Sequence, residues 1–206
     1  LARATNALRA HHGLEPLPFD IIRTQVSNGG SALVTLALEL AHDHPEHSAA
    51  RDYLLECYGK DVASESQVFA GLERLLELWA LPPRAWGIVT NKPRVYAVPL
   101  IEALGLTPGA LLCADDLPVK KPAPEPLWEA AKQLGVAPQD CWYIGDHVRD
   151  MLAAHRAGMA AIAVGYGYIG EDEDRQSWNA DIWFERPKDL VDALLEASRE
   201  ESSAHQ

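Results

Sequence analysis

The spacing of apolar residues changes about one third of the way along the chain. Up to about Lys60 they recur every three or four positions, as in helices that bury one face. Turn signals rich in Gly, Pro and Asn separate these stretches. From Val68 onward, short apolar runs alternate with amphipathic helical stretches. The pattern predicts a small helical bundle followed by a larger part built from repeated strand and helix units.

The larger part contains short runs with the length and composition of buried strands. The predicted strands are residues 86–89, 111–113, 141–144, 160–164 and 182–184. Strands that alternate with helices pair in parallel and are covered by helices on both faces. The predicted fold class is α/β, with a three-layer, doubly wound parallel sheet of the Rossmann type. Residues 1–65 are the predicted helical domain, 66–199 the α/β domain and 200–206 a flexible tail.

Composition narrows the class of protein. Hydrophobic residues make up 48% and charged residues 23%, as in soluble globular proteins. The net charge of −12 argues against a nucleic-acid partner. No uncharged stretch reaches the roughly 20 residues that span a bilayer, and three widely spaced cysteines suggest neither disulfides nor a zinc site. We expect a cytoplasmic protein with no membrane partner.

Thr90 and Asn91 follow the first predicted strand. In parallel sheets, ligands bind beyond the carboxyl ends of the strands. A hydroxyl and neighbouring amide donors there can hold one oxygen of a phosphate or carboxylate. The alternative is that these residues cap the next helix.

Lys121 lies in a segment with prolines at positions 122, 124 and 126. Prolines stiffen the backbone, so this lysine is presented from a fixed loop and can act as a point charge on a phosphoryl group. The alternative is a solvated lysine before a helix that begins with proline.

Two carboxylates follow the third predicted strand, Asp146 directly after Gly145 and Asp150 four residues later. A helix that begins here places both on one face. Like charges so close favour a cation beside them, and Mg²⁺ with retained waters fits oxygen ligands best. The alternative is that Asp146 serves as a helix N-cap.

Together these signals resemble the haloacid dehalogenase-like phosphatase superfamily. Its second motif is similar to the segment around Thr90, its third to Lys121 before Pro122, and its fourth to Gly145-Asp146 with Asp150. Residues 1–65 resemble its α-helical cap. The resemblance covers essentially the whole chain and is strongest to the phosphoglycolate phosphatase-like branch.

The resemblance implies an Mg²⁺-dependent phosphomonoester hydrolase, monomeric or homodimeric, that acts on a small phosphorylated metabolite through an aspartyl-phosphate. It implies that Asp146 binds the metal and that Asp150 orients a metal-bound water or Lys121. Thr90, the Asn91 backbone and Lys121 would stabilise the phosphoryl oxygens. In the cap, the residues implied to contact the leaving group are Asn28, Gly29 and Gly30.

A narrower resemblance concerns the segment after the fourth predicted strand. Gly165-Tyr166-Gly167-Tyr168-Ile169, with Trp178 and the run 179–181, is similar to the N-acetylmuramic acid 6-phosphate phosphatases of Gram-negative cell-wall recycling. The glycines at 165, 167 and 170 also match a dinucleotide-binding fingerprint. The acidic residues 171–174 that follow argue against a bound pyrophosphate.

One family motif has no counterpart in this sequence. The Asp-x-Asp-Gly-Thr segment, which in the family carries the nucleophile on the first, central strand, does not occur in the 206 residues. We therefore expect the chain as printed to lack that strand and to be inactive. Two explanations for the missing motif compete. Either the sequence is truncated, with supply of the strand by another chain left open, or the protein is a natural non-catalytic fragment that binds phosphate and Mg²⁺.

Overall fold

The structure, a computed structural model, describes residues 1–170 and 173–204, with side chains as far as Ala197. Glu171 and Asp172 of the predicted acidic turn lie outside the described residues, as do residues 205 and 206. The chain divides into two compact units: Leu1–Ser64 with Tyr168–Asp174, and Glu65–Gly167 with the remainder from Arg175. No helix within the described ranges is long and apolar enough to cross a membrane.

The first unit is helical, as the apolar spacing predicts. Its helices are α1 (Ala2–His11), α2 (Phe19–Arg23), α3 (Gly29–Leu38) and α4 (His47–Gly59). Helices α1, α3 and α4 pack on one another, and Leu8, Leu33 and Leu54 between them have no exposed surface. The Asn6 side chain forms two hydrogen bonds with the Leu17 backbone and fixes the loop after α1. The role of this unit as a cap stays a prediction.

The second unit alternates strands and helices. In chain order its elements are α5 (Leu72–Trp79), β1 (Gly87–Val89), α6 (Arg94–Ala103), β2 (Ala110–Leu112), α7 (Glu125–Leu134), β3 (Trp142–Gly145), α8 (Val148–Ala157), β4 (Ala160–Val164), β5 (Ile182–Phe184) and α9 (Pro187–Ala204). Every predicted strand is present, within one residue at either end. Helix α9 continues to Ala204, so most of the segment predicted as a tail lies in that helix.

All strand pairs are parallel, which confirms the predicted α/β class. The described strands nevertheless form two sheets and not one: β1 pairs with β2, and β4 lies between β3 and β5. No ladder joins β1 to β3 among these strands; the link is a hydrogen bond from the Tyr143 hydroxyl to the Val89 carbonyl oxygen at 3.0 Å. The absent first strand stays a prediction.

The core of the second unit follows from the alternation of side chains along β4. Ile162 and Val164 pack with residues of α5 and α9, while Ala161 and Ala163 face the opposite side and have no exposed surface. Small residues there let α8 approach the sheet closely. The β3, β4 and β5 sheet thus has helices on both faces, as predicted.

Replacing Ile162 tests this core, and Ile182 is the matched control because the two are paired in register on neighbouring strands. Ile162 is 0% exposed and Ile182 is 44% exposed. We expect Ile162→Ala to lower the free energy of unfolding by about 2–5 kcal/mol, because it leaves a cavity, and Ile182→Ala by less than about 1 kcal/mol. Urea unfolding measures both. Equal losses would contradict the packing described.

Candidate active site

The predicted site residues of the second unit all lie at element ends. Thr90 and Asn91 follow β1, Lys121 lies in the loop before α7, Asp146 follows β3, and Asp150 is in the first turn of α8. Parallel strands bring their carboxyl ends to one edge of a sheet, which is why residues 25 to 60 positions apart in sequence can form one network.

Lys121 is the centre of this network. Its Nζ lies 2.8 Å from Asp150 Oδ1, 2.9 Å from the Val89 carbonyl oxygen and 2.7 Å from the Tyr143 hydroxyl. An ammonium group has three protons to donate, and there are three acceptors around it. The Lys121 and Asp150 side chains are only 9% and 6% exposed. The prediction of a lysine held from a fixed position is confirmed, and the solvated alternative is wrong.

Burial and charge act in opposite directions on these groups. Burial alone lowers the pKa of Lys121, but the Tyr143 oxygen and the Asp150 carboxylate outweigh it and hold the pKa above its ordinary value. Burial raises the pKa of Tyr143; Lys121 lowers it, and the charges of Asp150 and Asp146 raise it further. Lys121 is therefore a cation and Tyr143 a neutral hydrogen-bonding group at neutral pH.

Asn91 holds the lysine loop in place. Its Nδ2 donates to the Lys121 carbonyl oxygen at 2.9 Å, and its Oδ1 accepts from the Lys121 N–H at 3.1 Å. Thr90 Oγ1 accepts from the Lys92 N–H at 3.1 Å. Helix α6 begins only at Arg94, so Thr90 closes a turn and does not cap the helix. The two hydrogen bonds to the Lys121 backbone give the Asn91 side chain a positioning role that sequence reasoning missed.

Asp146 is not the N-cap of α8. That position belongs to His147, whose Nδ1 accepts from the Arg149 N–H at 3.1 Å. A Cβ added to Gly167 would lie 2.3 Å from Asp146 Cβ and Oδ2, so the carboxylate lies directly against the backbone of the loop after β4. Burial raises the pKa of Tyr166 in that loop to about 12, and the Asp146 charge adds to the shift.

Asp150 lies equally close to a glycine. A Cβ on Gly145 would lie 2.4 Å from Asp150 Cβ. Asp150 Oδ1 is buried and has the Lys121 charge beside it, but no hydrogen bond with good angles reaches it. A carboxylate with unused acceptor capacity next to Asp146 fits a site for a divalent cation.

A divalent metal at Asp146 agrees with the donors present. The described residues contain no group of three or more His, Cys, Asp or Glu side chains that could hold a metal. Mg²⁺ commonly takes one or two protein carboxylates and fills its other positions with water and substrate phosphate. The oxygen donors of Asp146 and Asp150 suit that ion, and they do not suit zinc, which prefers nitrogen and sulfur.

The remaining predicted residues lie in the first unit. Asn28 ends a 3-10 helix (Val26–Asn28), and its Nδ2 donates to Gln25 Oε1. Gly29 begins α3 with a φ of 84°, a left-handed value that favours glycine. A Cβ on Gly30 would meet Leu55 of α4 at 3.4 Å. Their contact with a leaving group stays a prediction.

Sequence reasoning also missed Tyr143 and Gly167. Tyr143 lies inside a predicted strand, two positions before Gly145 and therefore on the same face of β3, and its residue type alone does not mark it as part of the site. The sequence places Gly167 in the segment 165–169 and in a dinucleotide fingerprint, and neither pattern links it to Asp146. A glycine just beyond a strand signals a close approach of backbone to another group, and that signal could have identified it.

Comparisons with known proteins identify the family of this chain. The haloacid dehalogenase-like hydrolase family matches residues 2–158. An N-acetylmuramic acid 6-phosphate phosphatase from Pseudomonas aeruginosa is 38% identical over 92% of this chain and 85% of its own length. A phosphoglycolate phosphatase from Xanthomonas campestris is 37% identical over 90% of this chain and 84% of its own.

A solved structure shows the same fold. The crystal structure of a predicted phosphoglycolate phosphatase from Haemophilus somnus matches with a TM-score of 0.78 at 23% identity, over 93% of this chain and 89% of that one. The chain belongs to the haloacid dehalogenase-like hydrolase family. The predicted superfamily, its fold class and a phosphatase of this family as the type of enzyme are confirmed.

Removing the lysine tests the buried ion pair. Lys121→Met leaves the Asp150 carboxylate buried without its cation, so we expect the free energy of unfolding to fall by about 3–5 kcal/mol in urea titrations. Lys60→Met is the control, because the Lys60 and Glu56 side chains are 69% and 65% exposed and surface pairs contribute little. Similar midpoints for Lys121→Met and the parent chain would disprove the role given to this pair.

Lys92 allows a test by pH. Burial lowers the pKa of this lysine to about 8, whereas hydrogen bonding to Glu56 raises the pKa of Lys60. We expect acetic anhydride to label Lys92 half-maximally near pH 8 and Lys60 only at much higher pH. Above pH 8 the unfolded chain binds the extra proton, so stability should rise with pH until the unfolded lysine titrates. In Lys92→Met that rise should disappear.

Proposed function

We propose that this protein is a magnesium-dependent phosphomonoester hydrolase that acts on a small phosphorylated metabolite through an aspartyl-phosphate. The arrangement that supports this function most directly is the buried Lys121 and Asp150 pair, close in sequence to Asp146 and at the strand ends where the motif resemblance predicts a phosphate site. A cation and two carboxylates in one confined place suit a phosphate and a divalent metal together.

Each residue has a stated role in this proposal. Asp146 binds the metal, which when present neutralises charge on the phosphate. Thr90 Oγ1 and the Asn91 backbone N–H donate to phosphoryl oxygens, and Lys121 stabilises their developing negative charge. Lys121 donates hydrogen bonds to the Val89 carbonyl oxygen and the Tyr143 hydroxyl and forms an ion pair with Asp150, so its third proton can be donated to a phosphoryl oxygen. Asp150 keeps the lysine charged and oriented.

We propose further that a strand carrying the Asp-x-Asp-Gly-Thr nucleophile pairs between β1 and β3. Strand β1 belongs to the two-stranded sheet and β3 to the three-stranded sheet. Within the described residues no backbone ladder joins these two strands. The Tyr143 side chain reaches from β3 to Val89 of β1. Alternate strands of a sheet lie about 9–10 Å apart, and a tyrosine side chain together with the 3.0 Å hydrogen bond at its hydroxyl covers about that distance, which supports one intervening strand.

The substrate is the second part of the proposal. Relatives named for N-acetylmuramic acid 6-phosphate and for phosphoglycolate match at 38% and 37% identity. The first is favoured slightly by its higher identity and by the Gly165 to Ile169 segment.

A non-catalytic fragment that binds phosphate and Mg²⁺ is the remaining alternative for the function. The proposed form of the protein is a cytoplasmic monomer or homodimer.

The decisive experiment supplies the nucleophile. A chain extended at its amino terminus by a strand with the Asp-x-Asp-Gly-Thr sequence should release phosphate from p-nitrophenyl phosphate only with Mg²⁺, and the printed chain should not. In the extended chain, Asp146→Ala should abolish turnover, and Asp192→Ala, which removes an exposed carboxylate on α9, should not. The two named metabolites are then compared by kcat/KM. The function would be refuted if the extended chain released no phosphate in an Mg²⁺-dependent way and the Asp146→Ala variant behaved like the extended parent chain.

A further inference from the structure

The segment after β4 contains three glycines, at positions 165, 167 and 170. We propose that Gly167 is a positioning residue: it leaves room for the Asp146 side chain, so that the loop after β4 determines where this carboxylate lies. Gly167 bears on metal binding only if Asp146 is the metal ligand, as proposed above. The loop would then act on the site without touching metal or substrate.

The space beside Gly167 is already filled by Asp146. A Cβ at position 167 would lie 2.3 Å from Asp146 Cβ, 2.3 Å from Oδ2 and 2.6 Å from Cγ. Carbon atoms in contact prefer a separation of about 3.5–4.0 Å. Because Cβ is fixed to the backbone, rotation of the Asp146 side chain cannot relieve the overlap. Any side chain at 167 must therefore move the backbone of Asp146 or of the loop.

Backbone conformation does not explain this glycine. Gly167 is not among the glycines with positive φ, which include Gly135 and Gly158 at the ends of α7 and α8. Those two have open space where a Cβ would be, so they are required by conformation. Gly167 shows the opposite combination: its φ is not positive, and the space where a Cβ would lie is filled by Asp146. Glycine is therefore required at 167 because a side chain would overlap Asp146.

The other two glycines of the loop differ in what they face. A Cβ on Gly165 would first meet Glu185 Oε2, the movable end of a flexible side chain, at 2.2 Å. A Cβ on Gly170 would have its nearest neighbour at 3.5 Å, an ordinary contact. Of the three, Gly167 alone lies against the Cβ of a predicted metal ligand. Gly170→Ala is therefore a matched control for Gly167→Ala.

Metal binding is the first measurement. Mn²⁺ is used as the probe in place of Mg²⁺. Electron paramagnetic resonance measures the concentration of free Mn²⁺ in solutions of the 206-residue protein. We expect Gly167→Ala to weaken Mn²⁺ binding about tenfold or more, as displacement of groups behind a metal ligand commonly does. Asp146→Asn should weaken it at least as much, and Gly170→Ala should leave it within about twofold, inside the range of ordinary surface changes.

A second measurement does not depend on metal. The carboxyl carbon of Asp146, labelled with carbon-13 and assigned by its loss in Asp146→Asn, should shift in Gly167→Ala and stay in place in Gly170→Ala. An unshifted resonance in Gly167→Ala overturns the positioning role, whatever the metal does. If instead Asp146→Asn leaves Mn²⁺ binding unchanged, the proposed metal role fails, and the resonance still decides the role of Gly167.

A double variant covers the case in which Gly167→Ala does not fold. Asp146→Gly removes the Cβ, Cγ and Oδ2 atoms that meet the new methyl group. The combination Asp146→Gly with Gly167→Ala should therefore melt at the temperature of Asp146→Gly alone. A double variant that stays as unstable as Gly167→Ala would show that the methyl group clashes elsewhere, and the positioning role would be wrong.

Discussion

A single buried ammonium group connects the parts of this site. Lys121 contacts the carbonyl oxygen at the end of β1, the hydroxyl of a β3 tyrosine and the carboxylate in the first turn of α8. A charge this far from water is tolerated only where acceptors and a counter-charge surround it. The same interactions that make burial of the lysine possible therefore also set the relative positions of β1, β3 and α8. The Asn91 side chain extends this control to the backbone of the lysine loop.

The two carboxylates are positioned by close contact with backbone. Asp150 lies against Gly145, and Asp146 lies against Gly167. Glycine is needed in both places because no side chain leaves enough space. Rigid neighbours of this kind restrict where a charged side chain can lie. The cost is a site that accepts little change in the residues behind it.

Similarity to named relatives does not separate two substrates. Relatives named for two dissimilar metabolites match this chain almost equally, and both metabolites carry the phosphate group for which the network at the strand ends is proposed. The match to a solved structure at 23% identity shows that the fold is kept at low sequence identity. Buried charge and backbone clearance constrain the residues at the strand ends.

The sequence by itself determined the strands and helices, because side-chain periodicity reflects which face of each element is buried. It also predicted Thr90, Lys121, Asp146 and Asp150 as site residues, because polar side chains beyond strand ends indicate a ligand site. Only the tertiary structure decided that the strands form two sheets, that His147 and not Asp146 caps α8, that Asn91 and Tyr143 hold Lys121, and that Gly167 clears space for Asp146. Each of these depends on distances between segments remote in the chain, or on the local backbone angles at a helix start, and residue types alone do not encode either.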